Sequence, residues 1–148
     1  MLNYTELRRF INIMRVYVFG NRDVPGDNNT FIVASKLKSI FKTLEFVEIS
    51  PNQDLEVSNE AHLMILDAIE GLDQVEVFTE TDLDNLILSP RSSVHDFDLG
   101  FQLRYLKKLG KLNKVIIIGL PMRDVTDKDY LRIQLILRKL VAQDIQGS

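Results

Sequence analysis

Three residues, Asp27, Asp67 and His95, have side chains that could bind one metal ion together. Asp27 lies in the polar loop after the first apolar run, Asp67 ends a later apolar run, and His95 directly precedes a predicted helix. Two carboxylates and one imidazole form a mixed oxygen and nitrogen ligand set, which suits a borderline divalent transition metal with open coordination positions. The ligand types alone do not choose among nickel, zinc, cobalt and iron.

Each of these residues also has a purely structural interpretation. Asp27 stands close to a predicted helix start, where a carboxylate complements the helix dipole. Asp67 could simply accept backbone hydrogen bonds at a strand end, and His95 could be an ordinary loop residue. Asp23 is the alternative ligand in the first loop. Other polar residues are predicted to lie on the surface, in loops or at helix N-caps: His62, Asp96 and Asp98.

The common enzyme signatures are absent from the sequence. It contains no Gly-x-Ser-x-Gly elbow, no phosphate loop ending in Gly-Lys-Ser/Thr, no Gly-x-Gly-x-x-Gly and no His-Glu-x-x-His. There is no cysteine, which excludes disulfides, a thiol nucleophile and thiolate metal ligands from this chain. Ser92 and Ser93 lie near His95, but turn chemistry is the better explanation of both.

Short apolar runs that stop abruptly predict the strands of a sheet. Residues 16–19 are β-branched or aromatic and end at Gly20, as is typical of an interior strand of a parallel sheet. Residues 44–49, 63–66 and 114–120 predict three further strands, the last two of them central. If these strands are parallel, their carboxyl ends share one edge of the sheet, where open α/β sheets hold ligands.

The remaining segments predict a mixed sheet covered by helices. Residues 74–78 alternate in polarity and follow the preceding strand too closely for a helical crossover, so they predict an antiparallel edge strand. Helices are predicted at residues 29–41, at 97–109 and from Thr126 onward, with Asp129 in a capping box. The predicted fold is a three-layer α/β/α sandwich with a mixed, mostly parallel five-stranded sheet.

Finer features are predicted around these elements. Asn28, Asn29 and Thr30 offer N-caps to the helix at 29–41. That helix is predicted to turn one face inward, formed by Val33, Leu37, Ile40 and Phe41. Short helices or helical turns are predicted in three further places, and a loop in one: residues 3–13, 53–60 and 82–86, and the loop at 89–93.

The composition predicts one soluble domain over residues 1–148, with residues 1–14 as a helical extension. The chain has 45% apolar residues and a formal net charge of −3, from 18 basic and 21 acidic residues. Because these charges are mixed along the chain, neither nucleic acid nor an anionic membrane is an expected partner. Residues 1–14 lack the continuous apolar core of a signal peptide or membrane span. A cytoplasmic monomer is expected.

The order and spacing of these segments resemble the hydrogenase maturation proteases, the endopeptidases that trim the C-terminus of the nickel-iron hydrogenase large subunit. The resemblance covers residues 15–141. That family opens with an apolar strand into Gly-Asn and a loop ending in an acid pair. Here residues 16–19 lead into Gly20 and Asn21, and Gly26 and Asp27 end the loop.

The later segments carry the rest of the resemblance. Residues 63–71 are similar to the family's apolar strand followed by Asp-Ala, and residues 94–121 are similar to its histidine, leucine-rich helix and last strand. The resemblance therefore implies that Asp27, Asp67 and His95 are the metal-binding residues. Three positions depart from the family pattern: Gly26 in place of an acid, Val94 in place of a small hydroxyl residue, and Asp96 in place of Gly or Gln.

The function implied by the resemblance is removal of a C-terminal extension from a nickel-loaded hydrogenase large-subunit precursor, which is the expected partner. The nickel arrives with this substrate and is the recognition element, although other divalent transition metals are expected to occupy the ligand set in vitro. A metal ion can polarise the scissile carbonyl or activate water, and the resemblance does not choose between them. Asp27 and Asp67 are also the catalytic candidates of an aspartic-type endopeptidase.

Two other functions are compatible with parts of the sequence. A receiver-type regulatory domain accepts phosphate on an aspartate that ends the third strand, where Asp67 stands. Receivers also need acids directly after the first strand and a lysine ending the last, whereas Gly20, Asn21, Leu120 and Pro121 occupy those places. A non-catalytic relative that binds the precursor without cutting it is the closer alternative.

Overall fold

A computed structural model describes residue 3 and residues 14–49, 62–84 and 99–147 of the chain. The predicted helices in residues 3–13 and 53–60 and the predicted loop at 89–93 lie outside these ranges. Of the predicted acidic turn around residues 82–86, residues 85 and 86 also lie outside these ranges. The described part of this region contains a 3-10 turn at Glu80–Asp82.

The described residues form a five-stranded sheet in the order β2-β1-β3-β5-β4. The pairs β2–β1, β1–β3 and β3–β5 are parallel, whereas β4 runs antiparallel to β5. Parallel strands of this kind are covered on both faces, which explains why the central strands contain uninterrupted apolar runs. The bounds are β1 Met14–Phe19, β2 Leu44–Ile49, β3 His62–Ala68, β4 Glu76–Thr79 and β5 Lys114–Leu120.

The antiparallel direction of β4 distinguishes this sheet from that of a receiver domain. The connection at residues 69–75 is too short to carry a helix back across the sheet, so β4 pairs antiparallel with β5 at the edge. A flavodoxin-like receiver has the sheet order 2-1-3-4-5. The receiver alternative is therefore inconsistent with the topology, whereas the predicted mixed sheet is confirmed.

Helices cover both faces of the sheet, which confirms the predicted α/β sandwich. The helices α1 (Asn29–Ile40) and α3 (Asp127–Gly147) pack on one face, and α2 (Leu99–Lys108) packs on the other. Leu37 of α1 and Leu137 of α3 are buried in the first core layer. Leu103 of α2 is buried in the second. An apolar core layer therefore lies on each face of the sheet.

Two predicted details of α1 are wrong. Ile40 is 45% exposed, because the chain leaves the helix there and Phe41 takes the buried position instead. The side chain of the N-cap residue Asn28 makes no capping hydrogen bond. Asn29 and Thr30 lie inside the first turn, and their side chains bond to other parts of the chain.

Local residues account for the end of α2 and the start of α3. Gly110 follows α2 with φ +72°, a left-handed conformation that glycine adopts without strain. Before α3, the Thr126 amide donates to Oδ2 of Asp129 over 2.9 Å, and the Asp129 amide donates back to Oγ1 of Thr126 over 3.2 Å. The predicted capping box with an acid is therefore confirmed. Across the described ranges, no helix combines the length and apolarity needed to cross a membrane.

Candidate functional site

Asp67 is the penultimate residue of β3 and is only 1% exposed. It lies opposite Gly119 in the parallel pairing of β3 with β5. Leu63 and Ile65, which lie on the same face of the strand as Asp67, belong to the core layer beneath α2. Because side chains alternate between the two faces of a strand, Asp67 is directed to that face as well. The carboxylate therefore lies at the carboxyl end of a central strand, where open α/β sheets bind their ligands.

The glycine opposite Asp67 allows apolar side chains to approach the sheet beside it. A β-carbon on Gly119 would lie 2.8 Å from Cδ1 of Ile69 and 2.9 Å from Cδ1 of Leu72. The Ile69 amide donates to the Leu120 carbonyl over 2.9 Å and so continues the pairing just beyond Asp67. Interactions between charges are stronger in such apolar surroundings than in water. The Asp67 carboxylate therefore lies where its interactions with other charges are stronger than they would be in water.

Asp27 is 5% exposed and follows two turns of the loop after β1. The Val24 amide donates to the Asn21 carbonyl over 3.2 Å, and the Asp27 amide donates to the Val24 carbonyl over 3.1 Å. These turns fold the loop back over the strand end, so a β-carbon on Gly20 would lie 2.5 Å from the Asp27 carbonyl oxygen. Asp27 thus lies at the carboxyl end of β1, and Asp67 at that of the adjacent parallel strand.

The alternative acid of this loop has a different environment. Asp23 is exposed, and its amide is held by Oδ1 of Asn21 over 2.9 Å. The neighbouring Arg22 makes a 2.6 Å ion pair with Glu48 of β2, and its guanidinium lies 4.3 Å from the centre of the Phe31 ring. The structure therefore buries Asp27 at the sheet edge and leaves Asp23 at the surface.

The loop that carries Asp27 is fastened to the loop between β5 and α3. Gly26 has φ +85°, and a β-carbon on it would collide with the carbonyl of Met122. Nδ2 of Asn29 donates to the carbonyls of Pro121 and Arg123, over 3.2 and 2.6 Å. The sequence did not predict this connection, because the partners lie about ninety residues apart and asparagine before a helix indicates only a cap.

A second group of residues holds the β5–α3 loop itself. The Arg123 guanidinium donates to both carboxylate oxygens of Asp129, over 2.7 and 3.2 Å, and to the Asp73 carbonyl over 2.7 Å. This pairing is the main reason that the pKa of Asp129 is lowered to about 2; hydrogen bonds from Thr126 contribute to the lowering, and burial opposes it. The same hydrogen bond raises the pKa of Arg123. The loop is therefore anchored to α3 and to the β3–β4 turn.

The third predicted ligand, His95, lies outside the described residues, so the complete ligand set stays a prediction. Among the residues that the structure describes, no three His, Cys, Asp or Glu side chains are grouped to hold a metal ion. His62, the other histidine, begins β3 and pairs with Lys114 at the amino end of that strand. It therefore lies at the opposite end of β3 from Asp67.

The sheet order and the helices on both faces define an α/β sandwich, and solved structures of hydrogenase maturation endopeptidases have a similar fold. HybD, a hydrogenase maturating endopeptidase from E. coli, is similar with a TM-score of 0.61 and 16% sequence identity, over 91% of this chain and 94% of that chain. The structural resemblance thus confirms the predicted fold.

Two further solved structures agree with this fold. A hydrogenase 2 maturation peptidase from a Thaumarchaeota archaeon has a TM-score of 0.54 and 18% identity, over 86% of this chain and 97% of that chain. A [NiFe] hydrogenase maturation protease HycI from Thermococcus kodakarensis has a TM-score of 0.51 and 19% identity, over 88% and 91%. No protein-family model and no curated protein sequence matches the chain.

Proposed function

We propose that this protein is an endopeptidase that removes a C-terminal extension from a nickel-loaded nickel-iron hydrogenase large-subunit precursor. The observation that carries the proposal is the burial of Asp27 and Asp67 at the carboxyl ends of two adjacent parallel strands. The fold is that of proteins described as hydrogenase maturation endopeptidases, which gives these two acids a shared interpretation.

In this proposal Asp27, Asp67 and His95 contact the nickel that the precursor brings. Two carboxylates and one neutral imidazole would bind a divalent ion while other coordination positions remain with the precursor's own ligands. Cleavage would then depend on metal loading, because an empty precursor lacks the group that these side chains recognise. The protein would act in the cytoplasm as a monomer and would need no metal of its own.

The chemistry of the proposed reaction is hydrolysis of one peptide bond by water. Asp27 and Asp67 are the candidates for holding that water or taking its proton, because both are buried acids at the carboxyl ends of β1 and β3. The nickel could stabilise negative charge that develops on the scissile carbonyl oxygen. Because Asp67 is buried, bulk water is kept away from it. Exclusion of water would strengthen the action of the acids on the reacting water and that of the nickel on the carbonyl oxygen.

A direct test is mass spectrometry of a nickel-loaded precursor incubated with the purified protein. Loss of a single C-terminal peptide, with no loss from the nickel-free precursor, is the expected result. Replacement of Asp67 by Asn should stop the loss of the peptide, and replacement of the exposed Asp23 by Asn should not. An intact precursor after incubation with the parental protein would exclude the protease function.

The conformation of Gly26 favours one alternative, a non-catalytic relative that binds the precursor without cutting it. Family members have an acid where Gly26 stands, and the contact with Met122 leaves no room for a side chain there. If that acid is needed for hydrolysis and not for recognition, this protein would bind and protect the precursor. An intact precursor in a stable, nickel-dependent complex would support this alternative.

A further inference from the structure

The side chain of Asn29 is buried and spans two loops at the carboxyl edge of the sheet. It is 6% exposed, and it lies two residues after Asp27 in the first turn of α1. Its amide group donates to two main-chain carbonyls of the β5–α3 loop, at Pro121 and Arg123. A carboxamide has two N–H donors, so these two bonds use all of its donor capacity.

The backbone around Asn29 transmits this attachment to Asp27. The main-chain N–H of Asn29 donates to the Gly26 carbonyl over 3.3 Å, so Asn29 also closes the last turn of the loop. Gly26 in turn lies against the Met122 carbonyl. Asp27 is therefore held between two residues that both contact the β5–α3 loop, one on each side of it in the chain.

Thr30 adds a third attachment from the same helix turn. Its fully buried hydroxyl donates to the Phe19 carbonyl over 2.7 Å, at the last residue of β1. Two consecutive side chains at the start of α1 thus bind main-chain carbonyls of the sheet edge. Neither is needed to cap the helix, because both residues lie inside it. This arrangement fixes the helix start, and with it Asp27, relative to β1 and β5.

We propose that Asn29 is a positioning residue, which holds the Asp27 carboxylate at the sheet edge by attaching its loop to the loop after β5. The proposal rests on the proposed function only in assuming that Asp27 contacts the nickel of the precursor. A residue that supports a metal-binding side chain in this way typically changes metal affinity by about 10- to 100-fold when it is replaced. The effect reaches the metal through Asp27 and not through contact with Asn29.

The test compares Asn29→Asp with the matched variant Asn28→Asp. Aspartate is nearly isosteric with asparagine, but an ionised carboxylate donates no hydrogen bond and would face two carbonyl oxygens. Asn28 is half-buried and its side chain makes no capping bond, so the same change there adds the charge without removing a donor. By charge alone, both variants should bind a cation more tightly. Only loss of positioning predicts weaker binding in Asn29→Asp.

Two measurements read the result. The first is the affinity of the isolated protein for Ni²⁺ by calorimetry, which should fall about tenfold or more in Asn29→Asp and not fall in Asn28→Asp. The second is amide hydrogen exchange at Asp27, whose amide bonds to the Val24 carbonyl; it should speed up about tenfold or more in Asn29→Asp. Exchange at Ile69, bonded to Leu120, is the internal reference and should be unchanged.

The two measurements separate this proposal from the proposed function. Equal exchange at Asp27 in both variants would overturn the positioning role and leave the proposed function intact. Equal nickel affinity of the parental protein and Asp27→Asn would overturn the role of Asp27 in metal recognition, while the exchange data would still decide whether Asn29 holds the loop. If Asn29→Asp does not fold, Asn29→Ala removes the donors without adding a charge and is measured against Asn28→Ala with the same expectations.

Discussion

Gly26 lies so close to the main-chain carbonyl of Met122 that no side chain can be attached to it without moving one of the two loops. Its φ of +85° is also in the left-handed region that favours glycine. The difference from the acid pair of the hydrogenase maturation proteases, which the sequence resembles, is therefore built into the backbone of this loop. Asp27 remains as its buried acid at the sheet edge.

This relationship predicts that Gly26→Ala is more destabilising than the same change at Gly71. Both glycines have a left-handed φ, +85° and +89°, but nothing lies within 4 Å of a β-carbon built on Gly71. Gly71→Ala should cost only the backbone strain, about 1 to 2 kcal/mol. Gly26→Ala should cost about 1 to 3 kcal/mol more, because a loop must shift. Urea unfolding of both variants measures the difference, and equal losses would contradict the clash.

Replacement of either buried acid should remove processing of the precursor. Asp27→Asn and Asp67→Asn keep the shape of the side chain and remove its charge, so each should lower the cleavage rate about 100-fold or more, as loss of a key electrostatic group does. Asp23→Asn is the matched control within the same loop, since Asp23 is exposed, and should stay within about twofold of the parental rate. Circular dichroism checks folding. Full activity of Asp67→Asn would exclude its proposed role.

Nickel affinity should depend on pH through His95. A histidine must be neutral to bind a metal, so affinity should be constant above about pH 7 and fall as the pH drops below about 6.5. His95→Ala should weaken binding and remove this part of the pH dependence, and calorimetry at several pH values measures both. His62→Ala is the control, because His62 begins β3 at its amino end and should leave the profile unchanged. Unchanged affinity in His95→Ala would refute the assignment.

The ion pair between Arg123 and Asp129 should make stability depend on acid pH. Because its pKa is lowered to about 2, the folded Asp129 stays charged where the unfolded residue, near 3.8, gains a proton. The contribution of Asp129 to the free energy of unfolding is therefore complete above about pH 4 to 5 and is lost as the pH falls toward 2. Since Arg123 is half-exposed and screened by solvent, we expect this contribution to be about 1 to 2 kcal/mol.

Asp129→Asn tests this contribution by urea unfolding at pH 7, 4 and 3. The variant should be less stable than the parental protein at pH 7, and the gap should narrow steadily toward pH 3. Asp127→Asn is the matched control, because Asp127 is an exposed acid in the same helix turn. It should show a smaller loss, within about 1 kcal/mol, from the helix dipole alone. If the difference in unfolding free energy between Asp129→Asn and the parental protein did not change with pH, the ion pair would not be the source of this stability.

Much of the fold follows from local patterns in the sequence. The strand β2 is observed at the predicted residues, and Val16 and Ile118 lie in the core as their apolar runs indicate. The antiparallel β4 was predictable because a connection too short for a helix permits no other direction. The capping box of Thr126 and Asp129 was equally local, since its two residues are three apart. Ile40 was misassigned because periodicity does not reveal where a helix ends.

Local sequence patterns identify the acids that could form a site: a loop after one apolar run carries Asp27, and Asp67 ends another apolar run. How Asp27 is held becomes visible only in the folded chain. Asn29 and Gly26 each have a local interpretation, as a cap and as a turn residue, and each owes its role to the loop after β5. That loop is about ninety residues away in the chain and becomes adjacent only when the parallel strands pair. Contacts of this range depend on topology, which no local pattern encodes.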